Sequence, residues 1–297
     1  MGEDIEITIG KRIKKILARF LPVPARTFHA EIQEITQTYN RDITEIKDIL
    51  YNLSNSTTDI QLTLREIQIN TLATRKKTDE IIWAEIFNNT VDNSTWLNNI
   101  SLSPGRWAAG YAYLYIIFRV LRDAKPNRIL ELGLGESTRI ISQYSSAHKE
   151  SEHIIVESDP EWISFFSKTI HMSDNSNIVH LPLLYQSYKE SESVRGYKDF
   201  SSNLSNGKYD FICIDGPFGA DMKEYARIDA LSLLPEHLAD SFVILVDDYN
   251  RVPEQKMVED LLLLLENAKI SYCKGVYKGE KNTLLICSND LKFLASL

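Results

Sequence analysis

Three apolar runs in this chain end in carboxylates. Glu157 follows His153-Ile-Ile-Val, Asp215 follows Tyr209-Asp-Phe-Ile-Cys-Ile, and Asp247-Asp248 follows Phe242-Val-Ile-Leu-Val. Runs of this length and composition read as buried strands. If they share one open α/β sheet, their acids lie along its carboxyl edge, where such sheets take their ligands. Asp215, Asp247 and Asp248 can then converge on one divalent cation. Carboxylate oxygens suit Mg²⁺, which holds a hydroxyl and lowers its pKa. Without a metal, Asp215 or Asp248 can serve as a general base. The plain structural alternative is that these acids only cap loops and helices.

A further run, Arg128-Ile-Leu-Glu131-Leu, leads into Gly133-Leu-Gly135-Glu136-Ser137-Thr138. Glycine permits a tight turn and close approach of a ligand to bare backbone. The helix that follows, capped by Ser137 or Thr138, offers unpaired N–H groups and a partial positive charge. Gly-x-Gly also occurs in ordinary tight turns, so the context decides.

Between these runs lie helical patterns, through Ser146, around Trp162 and Phe166, over Tyr225–Leu238 and over Pro253–Ala268. Asn177-Ile-Val-His180 is a third strand. Tyr185–Asn206 reads as loop and helix beside an entrance to the site. Ile270–Tyr277 and Thr283–Ser288 flank a polar turn and form a hairpin. Ser103-Pro104 is the expected start of an aromatic helix carrying Trp107, Tyr111, Tyr115 and Phe118. The alternation predicts a mostly parallel sheet with one antiparallel strand.

Composition bounds the function. The chain has 297 residues, 43% of them apolar, and a net charge of -8. Such a balance argues against general binding to nucleic acid. No run reaches the length of a membrane span and no secretory leader is evident, so a cytoplasmic setting is expected. Cys213, Cys273 and Cys287 fall far apart in predicted strands and read as reduced core thiols.

The N-terminal part has another character. Residues 1–25 hold a basic amphipathic stretch, Lys11–Leu21, suited to peripheral contact with an anionic membrane face. Residues 26–80 carry a heptad seam, with Ile43, Ile46, Leu50, Leu53, Thr57, Ile60, Leu64 and Ile67 in steps of three and four. A second step of four from Tyr39 to Ile43 is a stutter that relaxes the supercoil. An apolar stripe of this length calls for a partner, and a coiled-coil homo-oligomer is the expectation. Ser54–Thr58 is a weak helix stretch where a break is expected. The third region, residues 81–297, holds the candidate site.

From about Pro104 onward the chain resembles the class I S-adenosylmethionine-dependent methyltransferases. Glu131-Leu-Gly-Leu-Gly135 looks like that family's first motif, and Asp215-Gly-Pro looks like its fourth. The resemblance implies a Rossmann-like, seven-stranded sheet closed by an antiparallel hairpin. It also implies a cofactor, S-adenosylmethionine, held by Glu131, Gly133, Gly135, Ser137, Glu157 and Asp215. Glu157, 22 residues after Gly135, stands where the family binds ribose hydroxyls. Asp215, Asp247 and Asp248 resemble in placement the metal ligands of the metal-dependent O-methyltransferases, where the last position is usually Asn. Ser137 replaces the motif's third glycine, and His180-Leu-Pro-Leu lacks the acid that meets the adenine amine. The stalk and the Ile-Asp-Gly-Pro-Phe-Gly string resemble methyltransferases of bacterial surface-polysaccharide clusters. That narrower resemblance implies a sugar hydroxyl on a carbohydrate or lipid-linked glycan as acceptor, at the inner face of the cytoplasmic membrane. An inactive scaffold that binds the cofactor and recruits enzymes remains the other reading, as does a nicotinamide-dependent enzyme.

Overall fold

The computed structural model describes residues 13, 15, 16, 25–105 and 108–297. The expected basic tail lies outside them, apart from the exposed, helical Ile13, Lys15 and Ile16. The chain forms two compact units, Met1–Thr71 and Leu72–Leu297.

The first unit is helical. Helix α1 runs over Ala25–Val91 without interruption, its last turns belonging to the second unit. The expected break at Ser54–Thr58 does not occur. Thr57 and Thr58 donate their hydroxyls back to the Leu53 and Ser54 carbonyls at 2.8 and 3.1 Å, so the polar run is satisfied within the helix. The seam residues Ile46, Leu50, Leu53, Ile60, Leu64 and Ile67 are all exposed in the single chain.

The second compact unit spans Leu72–Leu297, and the last turns of α1 are anchored in it from Glu80 onward. Phe87 and Val91 are buried, and the Trp83 indole donates to the Lys278 carbonyl at 2.8 Å. The Glu80 carboxylate accepts the N–H groups of Tyr111 and Glu280. Glu80 thereby serves the start of α2, Tyr111–Asp123, which begins eight residues after the expected Ser103. Arg106 and Trp107 lie outside the described residues.

Strand β1 (Arg128–Leu132), helix α3 (Glu136–Ala147), β2 (Glu152–Glu157), α4 (Pro160–Thr169) and β3 (Ser176–His180) follow in alternation. The stretch read as loop and helix holds a separate antiparallel hairpin, β4 (Leu183–Tyr188) with β5 (Ser191–Tyr197), and then α5 (Phe200–Leu204). The main sheet resumes with β6 (Tyr209–Ile214) and β7 (Leu238–Val246) and ends, after α6 (Val252–Asn267), in β8 (Tyr272–Lys278) and β9 (Asn282–Ser288). In place of the helix expected over Tyr225–Leu238 stands a six-residue 3₁₀ turn, Ile228–Leu233. Pro235 keeps Leu234 out of the helical region.

The sheet order is β3-β2-β1-β6-β7-β9-β8, with β9 alone antiparallel to its neighbours. This is the Rossmann-like, seven-stranded sheet expected. Its central strands read as unbroken apolar runs because both faces are covered. Leu130, Ile212 and Ile244 enter the core on one face; Ile129, Phe211 and Val243 enter the other, under α2 and α3. The three cysteines lie in strands and are free. No helix among the described residues is long and apolar enough to cross a membrane.

Asp229, in the 3₁₀ turn, is buried. One oxygen accepts the Tyr197 N–H at 2.7 Å; the other has no partner. Burial pushes this carboxyl up to about 6. The native state therefore keeps a proton that the unfolded chain releases near pH 4, and stability falls as pH rises from about 4 to 6. Asp229→Asn keeps the acceptor without the charge. It should be more stable than wild type at pH 8, by up to about 3 kcal/mol in urea titration, with the gap closing towards pH 4.

Candidate active site

The carboxyl edge of β1, β6 and β7 opens into a cleft of about 820 Å³. Gly133, with φ of +101°, turns the chain at the end of β1, and its N–H donates to the Val156 carbonyl at 2.9 Å. A Cβ there would stand 3.3 Å from the Gly216 nitrogen, so the turns after β1 and β6 pack backbone against backbone. Gly135 differs: its backbone is extended, and a Cβ added to it meets nothing within 4 Å. That open space is the cleft, which Gly133, Gly135 and Ser137 all line.

Glu131 does not line this cleft. It is fully buried, and one oxygen accepts the Thr138 hydroxyl at 2.8 Å and meets His153 Nε2 at 3.0 Å. Thr138 in turn accepts the Gly135 N–H at 3.0 Å. Glu131 thus braces the turn through Thr138, and its other oxygen has no partner among the described residues.

Glu157 does face the cleft. Its carboxylate accepts N–H groups from Leu134 at 3.1 Å, Ser158 at 2.6 Å and Asp159 at 2.9 Å. These bonds fix the carboxylate at the mouth of the glycine turn: Oε1 takes the Ser158 and Asp159 N–H groups and the Ser158 hydroxyl, while Oε2, which takes the Leu134 N–H, keeps a lone pair for a ligand hydroxyl. Trp162, from the first turn of α4, lines the same wall and donates to the Leu134 carbonyl at 2.7 Å. His180 turns away to the Ser158 carbonyl.

Asp215, Asp247 and Asp248 converge as their spacing suggests, with one oxygen of each within 4.8 Å of the others. Asp215 and Asp248 line the cleft, while Asp247 is sealed beneath them. What the strand pattern did not reveal is the company they keep. Arg227 Nη2 stands 3.1 Å from Asp215 Oδ1 and 2.9 Å from Asp248 Oδ2. Lys281, from the β8–β9 turn, stands 3.5 Å from Asp247 Oδ2 and 3.7 Å from Asp248 Oδ1. Arg251 pairs with Asp248 and with the fully buried Glu254. Burial and the neighbouring Asp247 charge push the Asp215 carboxyl up to about 6, against the pull of Arg227 and Lys281. Burial likewise raises Asp247 and Glu254. Arg227 and Lys281 lie outside the apolar strands, in segments where isolated basic residues carry no pattern; only their number in the fold reveals them.

No family model matches the chain, and no curated protein matches it. Solved structures do trace a similar path. A provisionally assigned O-methyltransferase from Klebsiella pneumoniae shares 12% identity over 73% of this chain and 99% of that one, with a TM-score of 0.49. An O-methyltransferase from Bacillus cereus in complex with SAH shares 14% over 72% and 92%, with a TM-score of 0.42. The O-methyltransferase TomG from Streptomyces achromogenes, in complex with SAM, shares 10% over 73% and 98%, also at 0.42. At such identities and scores the likeness concerns the path of the chain, and the chemistry has to be argued from the cleft itself.

The two glycines separate on substitution. Gly133→Ala forces a side chain into a left-handed turn against Gly216 and should cost about 1–3 kcal/mol by denaturant titration. Gly135→Ala, with extended backbone and open space, should stay within about 0.5 kcal/mol of wild type.

Proposed function

We propose that the cleft binds S-adenosylmethionine and transfers its methyl group to a hydroxyl oxygen. The observation that carries this reading is the pairing of Gly135 and Glu157. A bare glycine at a helix N-terminus faces open cleft, and a carboxylate pinned by three backbone N–H groups stands beside it. The helix end offers N–H groups, the missing side chain leaves room for a ligand, and Glu157 Oε2 can accept a ribose hydroxyl. Trp162 supplies a flat apolar wall. Bound there, the cofactor supplies an electrophilic methyl carbon.

A neutral hydroxyl is a weak nucleophile and needs a proton acceptor. Of the three clustered aspartates, Asp215 and Asp248 reach the cleft, and Asp215 is the more open of the two. Arg227 and Lys281 orient them by charge-assisted contacts. Ala109, Leu134 and Pro217 add apolar surface to the cleft lining.

The acceptor we infer is a sugar hydroxyl of a surface polysaccharide, presented at the inner face of the membrane; the motif resemblance supports this assignment. The exposed seam of α1 supports a further reading, self-association through a coiled coil.

Calorimetry with S-adenosylhomocysteine tests the cofactor. Wild type should bind, Gly135→Val and Glu157→Ala should lose at least about tenfold in affinity, and both should stay folded. Equal binding by all three overturns the site. Methyl transfer to polysaccharide extracts should fall by about 100-fold or more in Asp215→Asn, since that change removes the proton acceptor. Cofactor binding without turnover in any extract favours the scaffold reading instead.

Light scattering tests the stalk. Full-length protein should be a dimer or trimer, and Leu50→Glu with Leu64→Glu should shift it to monomer. A monomeric wild type refutes self-association.

A further inference from the structure

The acids at the ends of β6 and β7 resemble a divalent-cation site in position, yet their oxygens already have cationic partners. A carboxylate-bound Mg²⁺ sits about 2.1 Å from its oxygens in near-octahedral geometry and keeps several waters. Arg227 Nη2 bridges Asp215 and Asp248 at 3.1 and 2.9 Å, which is the space an ion shared by those two acids would need. The guanidinium is held from every side. Its other nitrogens donate to the Pro217 carbonyl at 3.4 Å and to the Asp247 carbonyl at 3.2 Å, and Glu254 stands 3.8 Å away. Arg227 is 3% exposed, so the charge has no solvent to retreat into.

The backbone supports the same conclusion. Arg227 and Asp248 both adopt positive φ, +57° and +59°. Left-handed backbone is uncommon for non-glycine residues and persists where the surroundings enforce it. Here the two strained residues are the two ends of one ion pair. Lys281 completes the arrangement: its ammonium lies near Asp247 and Asp248 and donates to the Ala108 carbonyl at 3.1 Å.

We propose that Arg227, assisted by Lys281, is the resident cation of this cluster, standing where a divalent metal would otherwise bridge the acids. Arg227 is then a positioning residue, holding Asp215 and Asp248 towards the cleft. This rests on the cleft being the reaction site, but its test does not require turnover.

Titration of wild type with Mn²⁺ by calorimetry should show no binding below about 1 mM that depends on Asp215. Arg227→Gln, which removes the charge and keeps a polar side chain, should uncover a single Mn²⁺ site at about 100 µM or tighter. Asp215→Asn in that background should abolish it. Circular dichroism and S-adenosylhomocysteine binding report whether Arg227→Gln is folded. Should it not fold, Lys281→Met carries the test: loss of the second cation should raise Mn²⁺ affinity at least about tenfold over wild type, again through Asp215. Stoichiometric Mn²⁺ binding by wild type that Asp215→Asn removes overturns the proposal. So does a folded Arg227→Gln protein that binds no Mn²⁺, or, should that variant be unfolded, a Lys281→Met protein no better than wild type. Wild-type methyl transfer, where measured, should be indifferent to a chelator. Failure of cofactor binding with the Mn²⁺ results as expected would instead refute the proposed reaction and leave the cation assignment standing.

Discussion

Carboxylates can be buried in a charged state only with cations beside them, and that constraint shapes this protein's carboxyl edge. Asp247 and Glu254 are fully buried, and Asp248 is nearly so. A lone ion in such a place would protonate or unfold the site. The chain answers with Arg227 from the loop after β6, Arg251 from the start of α6 and Lys281 from the β8–β9 turn. Three distant segments are thereby drawn to one point. The loop, the helix and the hairpin take their places as much for charge as for apolar packing.

The glycine edge solves the opposite problem, since it must stay open. Gly133 lets the β1 turn lie against the β6 turn, and Gly135 leaves room beyond. The Glu131–Thr138 and Glu131–His153 contacts fix the turn from below. A glycine loop without such an underlayer would lose more conformational freedom on binding a ligand.

The sheet was largely legible from the sequence because buried parallel strands write themselves as apolar runs. Alternation and one hairpin pointed to parallel strands with one antiparallel, while the seven-stranded arrangement was implied by the motif resemblance. Glu157, Asp215, Asp247 and Asp248 were legible for the same reason, each closing such a run. The hairpin over Leu183–Tyr197 was not: much of it is exposed, so its strands alternate weakly and mix with Lys189, Glu190 and Glu192. The start of α2 was misplaced because its partner, Glu80, comes from another helix. Arg227 was invisible for a deeper reason. A basic residue in a loop has no periodicity, and its role exists only once four acids surround it. The break expected at Ser54–Thr58 shows the converse, a local preference offset by hydroxyls that bond within the helix.

Strand β9 is inserted between β7 and β8, and Thr283, at its start, reaches Asp247 at 3.3 Å beside Lys281. This placement has a temporal consequence. Chains emerge from the ribosome N-terminus first, and earlier segments can fold while later ones are still being made. Strands β1, β6 and β7 can assemble early, but Asp247 then faces an unfilled edge, hydrated and without its ammonium partner. The cleft closes into its final electrostatic state only when β9 slots in. A nascent chain thus carries β1, β6 and β7 before Asp247 gains its ammonium and hydroxyl partners.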